Sequence, residues 1–172
     1  MKNATLNLRD LVILVADPSP YMCMLANSML RGFGANKAMD ARSSIDAIQI
    51  LTEQKIDILL CDNLLPPHGG LKLTQAIRRN VTNPNRTVPI LIMTSDTRES
   101  TIKSARDAGA NMVVAKPMSP SSLYDRLSWI AFNPRNVRSR RQRHGKTKIA
   151  LHQNHVYDIE GAMLNPAIAK HF

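Results

Sequence analysis

Four apolar runs, each stopped by a polar residue, constrain the fold of this chain more than any other feature. Leu11–Ala16 (LVILVA) stops at Asp17, Asp57–Cys61 (DILLC) at Asp62, Val88–Met93 at Thr94, and Met112–Ala115 at Lys116. Runs this short and this apolar read as strands covered on both faces, as in parallel sheets. Helix signals fill the gaps. Ser19-Pro20 pairs an N-cap with a residue suited to the first helical turn, and the helix it opens runs to about Arg31, with Gly32 as its stop. Ala35–Met39 reads as a short second strand. Ser43 caps a helix over roughly 44–54, where Asp46 in the first turn suits the helix dipole. Pro66, Pro67, Gly69 and Gly70 make a loop, and Leu71–Arg79 has helical spacing. A helix at about 98–107 stops at Gly109, and Ser119-Pro120 repeats the cap for a last helix to about Ile130.

Strands alternating with helices define the fold class: α/β, a doubly wound five-stranded parallel sheet. A hydrophobic content of 44% supports a core, and an aromatic content of 4% makes that core aliphatic, with nine Met as adaptable filler. Two Cys are too few to staple a chain of this length. No run reaches the roughly 18–20 apolar residues of a membrane span. The first ten residues lack the apolar centre of a signal peptide, which sets a cytoplasmic expectation.

The net charge of +10 is unevenly spread. Residues 1–132 hold 15 Lys+Arg against 11 Asp+Glu, whereas residues 133–172 hold 8 against 2. The break falls at Asn133-Pro134. We divide the chain into a compact domain over 10–131 and a basic tail over 132–172, either mobile or docked on a partner. Arg135–Lys148 is the densest basic stretch and could bind nucleic acid or an anionic surface, but no aromatics are interleaved and no helix-turn-helix pattern follows. His152 and His155 lack the further ligands that zinc needs.

In doubly wound folds ligands bind outside the carboxyl ends of the strands. Asp17, Asp62, Thr94 and Lys116 should therefore meet in one crevice. Neighbouring carboxylates repel unless a cation intervenes, and oxygen ligands of this kind suit Mg²⁺. A carboxylate nucleophile, a divalent metal, a Lys and a hydroxyl together suit phosphoryl transfer onto Asp. Cys61 alternates away from Asp62 and reads as a buried, inert thiol. Cys23, beside Met22 and Met24, reads as packing. His68 reads as a solvent-exposed loop residue.

The stretches VILVADPSP, LLCDNLLPPHGG, PILIMTSD and GANMVVAKPMSP resemble the receiver domains of response regulators in two-component signalling. Asp62, Pro66 and Gly70 stand at the family's spacing, as do Thr94 and the Lys116-Pro117 pair. The resemblance covers about residues 10–131 and implies the flavodoxin-like (βα)5 receiver fold. It implies Asp62 as phosphoacceptor, Thr94 as the switch hydroxyl, and Lys116 as the phosphoryl contact. It further implies Mg²⁺ as cofactor, held by Asp17, Asp62 and the backbone carbonyl of Leu64, and a Lys116–Pro117 bond that is often cis. The implied donor is a sensor histidine kinase or a histidine phosphotransfer protein. The implied output is a downstream protein target met by the fourth helix, fifth strand and fifth helix. A protein of this kind is a phosphoacceptor with at most slow self-dephosphorylation, not a turnover enzyme. Homodimerisation is left open.

This chain departs from the family pattern at four positions. Ala16 replaces one of two usual acids, Gly69 replaces a common Asp, Leu64 replaces a common polar residue, and Val113 replaces a usual aromatic. Ala16 should weaken the metal site, and Val113 removes the aromatic partner for Thr94. Two other readings follow: a degenerate receiver serving as a constitutive interaction module, or a receiver whose basic tail binds nucleic acid.

Overall fold

The computed structural model of the chain describes residues 6–132. Along these residues the order is β1 (Val12–Ala16), α1 (Pro20–Gly32), β2 (Lys37–Ala41), α2 (Ser44–Glu53), β3 (Ile58–Asp62), α3 (Gly70–Arg79), β4 (Ile90–Thr94), α4 (Glu99–Ala108), β5 (Met112–Ala115) and α5 (Pro120–Phe132). The five strands form one parallel sheet in the order β2-β1-β3-β4-β5. The basic stretch Arg135–Lys148 and the pair His152 and His155 lie outside the described residues.

Alternation along each strand builds two cores. Ile13, Val15, Ile58, Leu60, Leu91 and Met93 pack with Cys23, Leu30, Leu123 and Leu127 of α1 and α5. Leu14, Leu59, Cys61, Ile90 and Ile92 face the other way, against Leu51, Leu73, Ile77 and Ala105 of α2, α3 and α4. Both faces of β3 and β4 are buried along their whole length, which is why those runs show no polar alternation.

The caps form as expected. Ser19 Oγ accepts from the Met22 N–H at 3.3 Å, Ser43 Oγ from the Asp46 N–H at 3.0 Å, and Ser119 Oγ from the Ser122 N–H at 3.1 Å. Gly109 ends α4 with φ of +99°. The first helix ends later than the Gly32 stop implies. Gly34 has φ of +91°, and its N–H donates to the Arg31 carbonyl while Ala35 N–H donates to that of Leu30. That pair of bonds is a Schellman closure, and it consumes residues 33–35. The second strand is accordingly displaced from Ala35–Met39 to Lys37–Ala41.

The domain also begins earlier than residue 10. Leu6 and Leu8 are 6% and 0% exposed and belong to the core beneath α1 and α5. At the other end α5 continues to Phe132. No helix among the described residues is long and apolar enough to cross a membrane.

Candidate functional site

Strand register gathers the polar stops at one edge. Ala16 pairs with Cys61, so Asp17 and Asp62 leave adjacent strands at the same level. Asp62 pairs with Met93, and Thr94 with Ala115, which places Thr94 and Lys116 beside them. A cavity of about 260 Å³ opens there, lined by Asp17, Asp62, Thr94, Lys116, Met22 and Leu64 among others.

The Lys116 ammonium bridges the two acids. Its Nζ lies 2.5 Å from Asp17 Oδ2 and 2.6 Å from Asp62 Oδ1. Both carboxylates are shielded from water, with Asp17 1% and Asp62 6% exposed. Backbone takes the remaining oxygens: Ser19 N–H donates to Asp17 Oδ1 at 2.9 Å, and Leu64 N–H donates to Asp62 Oδ2 at 3.0 Å. Burial acts to lower the Lys116 pKa. The hydrogen bonds and charges of Asp17 and Asp62 together outweigh it and hold the pKa above the ordinary lysine value.

Thr94 Oγ1 accepts from the Asp96 N–H at 3.0 Å. That bond uses an oxygen lone pair, so the hydroxyl proton can serve an incoming phosphoryl oxygen. Asp96 in turn accepts from the N–H and guanidinium of Arg98 and from the Thr101 hydroxyl. These bonds, Arg98's side chain first, hold its carboxyl well below the ordinary range. They also tie the loop after Thr94 to the start of α4.

Gly70 sits under Asp62 in unusually close contact. A Cβ there would lie 2.3 Å from the Asp62 carbonyl oxygen and 2.9 Å from Cys61 Sγ. Cys61 is fully buried, and that burial, followed by the charge of Asp62, pushes its thiol far up. Cys23 is also buried, and its thiol is raised by the same cause first. Both cysteines fit the packing reading. His68 is exposed. The Lys116–Pro117 bond is cis, as is Pro66–Pro67.

All the sequence-derived site residues thus lie at one edge. Sequence reasoning did not single out Met22, Asn63 or Ser95 as cavity-lining residues. Their signal was position alone: Asn63 and Ser95 each directly follow a strand-end residue. Ala16 is fully buried in the core under α2 and α3.

Leu64 stands at the mouth with 76% of its surface exposed. An aliphatic side chain there offers an attacking water no hydrogen bond. Leu64→Asn is therefore expected to shorten the lifetime of a phosphorylated Asp62 several-fold, read by the loss of the adduct over time. An unchanged decay rate would remove this role.

The class these features define is an α/β domain with an acidic crevice, a hydroxyl and an ammonium at the carboxyl edge of its sheet. The family model described as response regulator receiver domain matches residues 13–128, and the chain belongs to that family. It is therefore a receiver domain of two-component signalling. Among curated proteins it is similar to autoinducer 2 sensor kinase/phosphatases LuxQ. One from Vibrio parahaemolyticus is 34% identical over 85 residues, 49% of this chain and 10% of that protein. One from Vibrio vulnificus is 38% identical over 81 residues, 47% of this chain and 9% of that protein. The chain thus spans about a tenth of these relatives. Among solved structures it is similar to a two-component response regulator from Clostridium difficile (26% identity, TM-score 0.66, covering 73% of this chain and 98% of that one). It is also similar to the receiver domain of a Pseudomonas aeruginosa sensor histidine kinase, which has a magnesium ion coordinated in its active site cleft (27% identity, TM-score 0.64, covering 72% and 99%).

The donor set here suits the same ion. Mg²⁺ keeps several waters and takes one or two carboxylates together with phosphate oxygens. Asp17 and Asp62 provide two carboxylates on one cavity. No cluster of three or more His, Cys, Asp or Glu side chains forms a metal site among the described residues.

Proposed function

We propose that Asp62 accepts a phosphoryl group from a phosphohistidine on a sensor kinase or histidine phosphotransfer protein, and that the chain signals through protein contact. The observation that carries this is the shared contact of Lys116 with Asp17 and Asp62 at 2.5 and 2.6 Å beside the Thr94 hydroxyl. A carboxylate oxygen of Asp62 attacks phosphorus in line. The O–P bond forms as the N–P bond to the donor imidazole breaks, and the imidazole leaves with that electron pair. The Lys116 ammonium and the Thr94 O–H meet charge spread over the equatorial oxygens. Asp17, Asp62 and the Leu64 carbonyl would hold Mg²⁺, which supplies further positive charge to those oxygens. On this reading the chain is a cytoplasmic phosphoacceptor and not a turnover enzyme.

The test is incubation of the full chain with Mg²⁺ and a small phosphodonor, followed by intact mass spectrometry. We expect a labile gain of one phosphoryl group in the wild type and none in Asp62→Ala. Absence of the adduct in wild type, or its persistence in Asp62→Ala, would overturn the reading.

A further inference from the structure

We propose that the amino edge of the sheet, opposite the acidic crevice, is a docking face for a double-stranded nucleic acid held through its phosphates. The inference stands apart from the phosphoacceptor reading and rests on where the cations lie.

All five strands are parallel, so they begin at one edge, and all five helices end there. That edge carries Arg9 before β1, Arg31 at the end of α1, Lys37 at the start of β2, Lys55 between α2 and β3, and Arg79 and Arg86 on the approach to β4. All six are exposed, and none makes an ion pair among the described residues. The exposed acids of the edge are Asp10, Glu53 and Asp107, and Asp107 faces Arg106. Lys55 Nζ donates to the Pro84 carbonyl and Arg86 Nε to the Arg78 carbonyl, both at 2.9 Å, which ties neighbouring segments of the edge together. From Asn63 to Ser95 the chain has no acid at all. Arg31 and Arg79 also complement the negative ends of α1 and α3. Arg9, Lys37, Lys55 and Arg86 lie outside the helices, so no helix dipole explains them.

Helix α5 ends at this same edge, and the sequence beyond it carries seven Lys+Arg between Arg135 and Lys148. Arg135 is three residues past Phe132, within about 11 Å of chain. The folded edge and the basic stretch therefore start from one side of the domain. The other edge repels phosphates. Asp17, Asp46, Asp62, Asp96 and Glu99 stand there at strand ends, in loops and at helix starts, and its Arg98 and Lys116 are already ion-paired.

A membrane surface fits less well, because it needs several apolar anchors beside the cations. Of the exposed large apolar side chains among the described residues, only Val81 lies at this edge. Single strands need exposed aromatics for base stacking, and Val81 offers none. A duplex can be held by phosphate contacts alone.

Fluorescence anisotropy of a labelled DNA duplex of about 30 base pairs, titrated with the full chain at several salt concentrations, tests this. The edge variant carries Arg9→Gln, Lys37→Gln and Arg79→Gln. A control variant removes the same charge elsewhere through Arg42→Gln, Lys72→Gln and Lys103→Gln, three exposed cations away from the amino edge. Melting temperatures check that both fold. Kd should rise at least about tenfold in the edge variant, with the salt slope lowered by about 3, and less than about threefold in the control. The duplex should leave the yield of the Asp62 adduct unchanged, because the crevice lies at the far edge. An unchanged Kd in the edge variant, equal losses in the two variants, no duplex binding, or a duplex that blocks the adduct would overturn the face. Tighter binding to phosphatidylserine vesicles than to the duplex, lost in the edge variant, would overturn the duplex as its occupant. Edge-dependent duplex binding by a chain that forms no adduct would sink the phosphoacceptor reading and leave this one standing.

Discussion

Gly70→Ala is expected to destabilise the domain by about 3 kcal/mol or more and to remove phosphoryl acceptance. The added methyl would stand 2.3 Å from the Asp62 carbonyl oxygen and 2.9 Å from Cys61 Sγ. Neither neighbour can yield cheaply. The oxygen belongs to the backbone of a fully buried strand, and the sulfur is enclosed in the core under α2, α3 and α4. Relief must come from moving the start of α3 away from β3. That shift pulls on the loop whose Leu64 N–H holds Asp62 Oδ2. Stability and function should therefore fall together. Urea denaturation and adduct yield measure the two. A variant within about 1 kcal/mol of wild type that still accepts phosphate would show that the helix start yields easily.

Asn85→Ala should cost a similar amount, about 3 kcal/mol, while leaving phosphoryl acceptance per folded molecule unchanged. Asn85 is fully buried. Its Oδ1 accepts from the Ile56 N–H at 2.8 Å, and its Nδ2 donates to the carbonyls of Leu51 and Gln54, both at 2.7 Å. One side chain thus ties the end of α2 and the approach to β3 to the loop before β4. Truncation leaves a buried donor at Ile56 and a buried acceptor at Leu51 without partners, and each costs more than an ordinary bond is worth, while the part-buried Gln54 carbonyl loses a third bond. The residue sits at the amino edge of the strands, opposite the acidic crevice. A drop in adduct yield among folded molecules would contradict the separation of the two edges.

The contrast between these two positions shows what a sequence displays. Gly70 is readable, because it follows Asp62 at a family spacing. Asn85 carries no such mark: it lies in a polar loop, and the carbonyls it serves belong to residues more than 30 positions earlier, with Leu51 separated by 34. The strands β3 and β4 were legible because full burial leaves unbroken apolar runs. The short β2 was misplaced because it is only partly covered, with Lys37 and Asp40 exposed, so its pattern is weak and the closure of α1 decided where it begins. Leu6 and Leu8 were overlooked because two leucines separated by Asn7 make no run. The site residues were legible by type and place. Their pairing was not: that one ammonium bridges both acids depends on strand register and side-chain reach.

That pairing has a bearing on how the domain is made. Lys116 and Asp17 are 99 residues apart in sequence, and Lys116 and Asp62 are 54 apart. As the chain leaves the ribosome, both acids emerge well before their counter-ion. A nascent chain that stops short of β5 holds two mutually repelling carboxylates and no lysine to steady a phosphoryl group. The bridged trio of Asp17, Asp62 and Lys116 therefore comes together only when the last strand docks on β4. On the phosphoacceptor reading, a chain cut after α4 lacks the lysine that would steady the phosphoryl group and is expected not to compete with its intact counterpart for phosphate.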